Sequence, residues 1–83
     1  MKKYLVDVYL PASGRHFDAY LPAALKIGET IELLTGIVVP LTRGGFSGTE
    51  DTVLINTSTG VPLNRNITVH DAGIRNSSSL LLI

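Results

Sequence analysis

An α+β fold, a mixed sheet with one helix packed on one face, is predicted by three features of this 83-residue sequence. Apolar residues alternate with a period of two over residues 4–10 and 15–21. They recur at helical spacing from Ile27 to Val38. They return as β-branched and aliphatic runs at residues 53–55 and 80–83. A period of two marks a half-buried strand and a period near 3.6 an amphipathic helix.

In the first segment Tyr4, Val6, Val8 and Leu10 share one face, with Asp7 on the other. Residues 11–14 supply a turn. In the second segment Phe17, Ala19 and Leu21 point inward, against His16, Asp18 and Tyr20 outward. Two such strands joined by a short glycine-containing turn make an antiparallel hairpin, which Pro22 ends. Ile27, Ile31, Leu34 and Val38 then form one helical stripe. Glu29 and Glu32 lie near the helix start, where the macrodipole favours negative charge. No Ser, Thr, Asp or Asn occupies the expected cap position before Gly28. Pro40 is expected to stop the helix, since the residue before a proline is pushed out of the helical region. A helix of about 12 residues is marginal alone and needs the sheet to hold it.

Residues 41–51 are a long glycine-rich connection, expected to be mobile. Residues 53–63 read as a strand, a turn at Thr59 and Gly60, and a short strand over Val61, Pro62 and Leu63. Thr68 precedes a single helical turn, which its hydroxyl is placed to cap, and Gly73 can take the left-handed conformation that ends one. A serine-rich loop leads to the last strand, residues 80–83. Together these elements have the order of a β-grasp. The expected core is Val6, Val8, Phe17, Ile31, Leu34, Ile55, Leu63, Val69, Ile74, Leu80 and Leu82.

The length fits one domain over residues 1–83, and a chain of this size buries only roughly 60% of its unfolded surface. With 45% hydrophobic residues and a mean hydropathy of +0.30, it is richer in apolar groups than its size requires. Some should stay exposed and favour a protein partner. Seven acidic and seven basic residues balance, so nothing points to nucleic acid. The absence of cysteine excludes disulfides and thiol chemistry and suits a reducing compartment. No apolar run approaches the roughly 20 residues of a membrane span, and Asp7 interrupts the apolar stretch after Lys2 and Lys3, unlike a signal peptide. A cytoplasmic chain without direct membrane insertion is expected.

Residue types that carry chemistry are present without the patterns that chemistry needs. Residues 43–48 (Arg-Gly-Gly-Phe-Ser-Gly) lack the Gly-Lys-Ser/Thr ending of a phosphate cradle and do not open a helix. His70, Asp71 and Ser77 to Ser79 supply triad types without a nucleophile elbow. Two separated histidines make no metal set. No catalytic, cofactor-binding or metal-binding residue is assigned, and no enzyme activity is expected.

From Val53 onward, the succession of strand, turn, short strand, helical turn and last strand resembles the C-terminal half of ubiquitin. The run Phe17-Asp-Ala-Tyr-Leu-Pro-Ala-Ala-Leu-Lys-Ile27, the helix, and the stretch from Leu63 through Arg65-Asn-Ile-Thr-Val-His-Asp-Ala-Gly-Ile74 to Asn76 resemble the YukD/EsaB-like ubiquitin relatives. These are small cytosolic proteins associated with the type VII (WXG-type) secretion systems of Gram-positive bacteria. The likeness covers nearly the whole chain and rests on fold-defining positions. The glycine-rich stretch at residues 41–51 departs from it.

This resemblance implies a non-conjugated ubiquitin-like interaction module, an accessory or regulator of a secretion machine. A membrane secretion-complex subunit is the implied partner, with a second copy of the chain as the alternative. The competing class is a ubiquitin-like modifier or sulfur carrier. That chemistry needs a flexible tail ending in Gly-Gly, whereas the sequence closes on Ile83, so conjugation is not expected. Ubiquitin recognises partners with the outer face of its sheet. If Val53 and Ile55 point at the helix, Leu54 points away, and Leu81 and Ile83 alternate outward from Leu80 and Leu82. Leu5, Leu54, Leu81 and Ile83 are therefore the expected interaction residues.

Overall fold

The computed structural model describes residues 2–42 and 51–83. Residues 43–50 lie outside this description, and with them the rejected phosphate cradle and most of the connection expected to be mobile. In chain order the elements are β1 (Lys3–Leu10), β2 (Arg15–Pro22), α1 (Ile27–Thr42), β3 (Leu54–Asn56) and β4 (Ser79–Leu82). Among the described residues the strands form one sheet in the order β2-β1-β4-β3. The hairpin β1–β2 and the pair β3–β4 are antiparallel, whereas β1 and β4 run parallel. The mixed sheet with a helix on one face matches the architecture expected from the sequence.

The alternation in β1 works as read. Tyr4, Val6, Val8 and Leu10 are all buried, and they meet Leu21, Ile27, Ile31, Leu34 and Val38 in one core with Val69, Ile74, Leu80 and Leu82. Phe17 and Leu63 are half-buried against that core and do not lie within it.

Register corrects the reading of β3. Leu54, expected outside, is completely buried, and Ile55, expected in the core, is half-buried on the outer face. The physical cause is pairing: Leu54 lies opposite Leu82, and Ile55 opposite Leu81. Cross-strand partners share a face of the sheet, so the inward Leu82 draws Leu54 inward. Buried Thr52 continues the same parity. Three successive aliphatic residues allow either phase, and the neighbouring strand chooses.

The helix also differs from expectation, running through Pro40 to Thr42. Proline removes the amide that would bond the carbonyl four residues back. That residue is Gly36, which is exposed, so its carbonyl is open to water and the last turn survives. At the other end, backbone carbonyls replace the missing side-chain cap. Ile27 N–H donates to Ile67 O at 2.9 Å and Gly28 N–H to Arg65 O at 3.0 Å. These satisfy two of the donors a helix start leaves unpaired.

The 65–70 segment is held against the start of the helix by further bonds, from Val69 N–H to Leu25 O (2.8 Å) and from His70 N–H to Ala23 O (3.0 Å). The expected helical turn forms here. Asp71 N–H donates to Thr68 Oγ1 at 3.1 Å, Ala72 N–H to Thr68 O at 2.9 Å, Gly73 N–H to His70 O at 3.1 Å and Ile74 N–H to Val69 O at 3.3 Å. With Gly73 at φ 86°, the last two bonds make a Schellman ending. The turn at Thr59 and Gly60 forms as expected, Gly60 N–H donating to Asn56 O at 2.8 Å. The short strand after it is reduced to a bridge between Ile55 and Pro62.

Candidate interaction surface

The sheet has one face under the helix and one without it, and parity sorts the outward side chains. From β1 come Leu5, Asp7 and Tyr9, and from β2 come His16, Asp18 and Tyr20. Leu81 of β4 lies between Tyr9 of β1 and Ile55 of β3. Beyond β4 and β3, Ile83 and Val53 continue the ladder through reciprocal bonds of 2.7 and 3.1 Å. Side chains at paired positions lie about 4.5–5.5 Å apart at Cβ. Tyr9, Leu81 and Ile55 therefore form an apolar strip across three strands, with Ile83 and Val53 one step further along.

The strip has a polar border. Asp7 lies opposite Asp18 on one side and Ser79 on the other. Like charges directly opposite each other are destabilising, and His16 gives one of the two carboxylates a hydrogen-bond partner, its Nδ1 standing 3.0 Å from Asp7 Oδ2. The His16 ring also packs on Tyr9, with centroids 4.4 Å apart, which fixes the tyrosine at the edge of the strip.

Of the expected interaction residues, the structure brings Leu81 and Ile83 together. Leu54 is removed from the set, because it fills the core. Leu5 stands apart, paired with Tyr20 beyond the Asp18–Asp7–Ser79 row. Tyr9, Val53 and Ile55 join the strip without having been named from sequence. Tyr9 was legible, since it has the outward parity of Leu5 and Asp7. Val53 and Ile55 were not, since their phase is set by β4.

The serine and histidine types do not assemble into a nucleophile and base. His70 Nδ1 shares a 2.6 Å hydrogen bond with the Tyr4 hydroxyl, and its Nε2 lies 3.4 Å from the Arg75 guanidinium. Arg75 Nη1 donates to the carbonyls of His70 (2.8 Å) and Ile74 (2.7 Å). Ser78 Oγ accepts the Arg75 backbone N–H at 2.9 Å. These groups fasten the helical turn to β1. Among the described residues no group of three or more His, Cys, Asp or Glu could hold a metal ion, and no helix is long and apolar enough to cross a membrane.

No protein-family model matches the chain, and no curated protein matches it. Solved structures do. An EccD5 ubiquitin-like domain from Mycobacterium xenopi superposes with a TM-score of 0.85 at 18% identity, covering 100% of this chain and 94% of that one. The ubiquitin-like domain of the Mycobacterium tuberculosis type VII secretion system protein EccD1 gives 0.77 at 22% identity, covering 100% and 99%. The chain has the ubiquitin-like β-grasp fold. A chain of the MycP5-free ESX-5 inner membrane complex contains a similar domain, with a TM-score of 0.83 at 16% identity, covering 100% of this domain and 21% of that chain. At these identities the likeness is one of fold.

Proposed function

We propose that this domain is a non-conjugated, non-enzymatic ubiquitin-like interaction module, an accessory or regulatory component of a Gram-positive type VII secretion system. It acts in the cytoplasm and docks on a subunit of the membrane secretion complex. The observation that carries this reading is the strip of Tyr9, Leu81 and Ile55, extended by Val53 and Ile83, on the sheet face the helix leaves uncovered. Apolar surface gathered in one corner, with charge confined to its border, has the anatomy of a docking site. The similarity to the ubiquitin-like domain of a type VII secretion system protein, and to part of a chain of an inner membrane complex, supports the choice of partner. The YukD/EsaB-like resemblance of the sequence supports the cytoplasmic, accessory role.

The test is affinity capture from the native cell with the intact chain and an Ile83→Asp variant. Recovery of a membrane secretion-complex subunit by the intact chain, and its loss with Ile83→Asp, is the expected result. Capture of an adenylating enzyme in a covalent adduct would reverse the reading in favour of a modifier or carrier.

A further inference from the structure

Two cations share one aromatic ring at the start of β1. Lys2 Nζ and the Arg75 guanidinium carbon each stand 5.5 Å from the centre of the Tyr4 ring. Tyr4 is almost wholly buried, while Lys2, His70 and Arg75 are exposed. Arg75 is held in place, its Nη1 donating to the carbonyls of His70 at 2.8 Å and Ile74 at 2.7 Å. His70 is held as well, since its Nδ1 shares the 2.6 Å bond with the Tyr4 hydroxyl. Its Nε2 then faces Arg75 Nη2 at 3.4 Å. Three basic side chains, distant in sequence, thus meet at one buried tyrosine.

No carboxylate balances them. Among the described residues the ion pair is that of His16 with Asp7, and Asp71, next in the chain to His70, makes none with either cation. A ring attracts each cation through its quadrupole, but like charges gathered at one place repel each other. An anion shared by Lys2 and Arg75 removes that repulsion. Donors for such an anion remain. A guanidinium carries five N–H groups. Nη1 is occupied by the two carbonyls, so Nη2 and Nε keep three, of which His70 Nε2 takes at most one. Lys2 adds an ammonium with three donors. His70 contributes a further charge when its second ring nitrogen is protonated.

We propose that Lys2, His70 and Arg75 form a binding site for a phosphate monoester. Charge and donor number decide between phosphate and carboxylate. A phosphate monoester carries about −1.5 to −2 charges at pH 7 and three strong acceptor oxygens. That matches two permanent cations and an imidazole able to take a proton. A carboxylate brings one charge and two oxygens, and it leaves one cation unbalanced. The planar guanidinium grips phosphate oxygens directionally, while the lysine follows as a point charge. The same chemistry comes from a free phosphate or from a phosphorylated side chain of a partner protein, and the test separates the two. Tyr9 of the apolar strip lies five residues beyond Tyr4, roughly 17 Å along an extended strand. The test therefore does not depend on that strip.

The test titrates the isotopically labelled full chain with sodium phosphate at constant ionic strength and follows the amide and His70 ring resonances. Saturable shifts at residues 2–4 and 70–76 are expected. Lys2→Gln should weaken the affinity by about 10-fold or more, as loss of a hydrogen bond to a charged group does. Arg75→Lys, which keeps the charge and loses the fork, should weaken it less than Arg75→Gln. Circular dichroism establishes that each variant is folded. Arg75 also fastens the helical turn, so Lys2→Gln, at an exposed position before β1, decides the matter if the Arg75 variants unfold. The peptide Gly-Ala-Ser-Ala-Gly with its serine phosphorylated gives the second arm. Tighter binding than inorganic phosphate identifies a phosphorylated side chain as the source, and binding no tighter identifies a free phosphate. Equal binding of the unphosphorylated peptide, or equal affinity for sodium acetate, would overturn the choice of phosphate. Shifts spread evenly over Arg15, Lys26 and Arg65, no shifts at millimolar phosphate, or unchanged affinity in folded Lys2→Gln would overturn the site.

Discussion

Leu54 lies directly opposite Leu82 in the antiparallel β3–β4 ladder, and both side chains are fully buried. The pair joins the edge strand to the core, so truncating either member leaves a cavity that the sheet cannot easily close. Leu54→Ala should cost about 2–5 kcal/mol, the usual range for a core leucine, measured by urea denaturation. Leu54→Asp should fail to fold, because it buries an unpaired charge. A loss within about 0.5 kcal/mol for Leu54→Ala would be that of a surface site and would place the residue on the outer face.

How far the sequence foretells this molecule depends on whether a residue's orientation is set locally. In β1 the polar Asp7 breaks the apolar run and fixes the phase of Tyr4, Val6, Val8 and Leu10. Along α1 the steps from Ile27 to Val38 fix the buried stripe. Thr68 and Gly73 announce the helical turn because capping is a property of the residues themselves. Residues 53–55 carry no such marker, and a one-residue slip exchanges core for surface along a whole strand. The helix start was also illegible, because its caps are the carbonyls of Arg65 and Ile67, nearly 40 residues away along the chain. The apolar strip was half legible for the same reason: Leu81 and Ile83 follow from Leu80 and Leu82, while Val53 and Ile55 follow only from β4.

Backbone conformation separates three small residues that look alike in sequence. Gly36 is helical, and a Cβ there would meet nothing within 4 Å. Gly36→Ala should stabilise the domain by about 0.4–1 kcal/mol. Gly73 sits at φ 86° and Ser77 at φ 71°, where a side chain costs roughly 1–2 kcal/mol. Gly73→Ala should therefore destabilise by about 1 kcal/mol, while Ser77→Gly should gain up to about 1 kcal/mol, reduced by the added entropy of the unfolded chain. Thermal unfolding of the three variants checks the signs, and a stabilised Gly73→Ala would contradict the left-handed assignment.

Tyr4 is almost wholly buried, yet its hydroxyl emerges to meet His70 Nδ1 at 2.6 Å. Lys2 Nζ and the Arg75 guanidinium each stand 5.5 Å from its ring centre. Tyr4→Phe keeps the ring and its cation contacts and deletes only the hydrogen bond, so a loss of about 0.5–1.5 kcal/mol is expected. A double-mutant cycle with His70→Ala should return a coupling of about 0.5 kcal/mol or more, as contacting residues do. Additive single effects would show that the contact adds nothing beyond ring packing.

Partner recognition supplies the sharpest contrast, between two exposed aliphatic residues on one sheet face. Ile83 is 47% exposed and Leu5 is 38% exposed, so an aspartate at either position should leave the fold intact. Their surroundings differ. Ile83 continues the Tyr9–Leu81–Ile55 strip, whereas Leu5 lies with Tyr20 across the row of Asp18, Asp7 and Ser79. A charge within an apolar interface must be desolvated without a counter-ion, while a charge beyond its polar rim stays in water. Ile83→Asp should therefore weaken binding of the captured secretion-complex subunit at least about 10-fold, equivalent to about 1.4 kcal/mol, measured by calorimetry on folded protein. Leu5→Asp should change it by less than about 0.5 kcal/mol, as surface substitutions away from a contact do. Equal losses from both variants would mean that the interface spans the acidic row. Unchanged binding in Ile83→Asp would mean that the partner does not use this face.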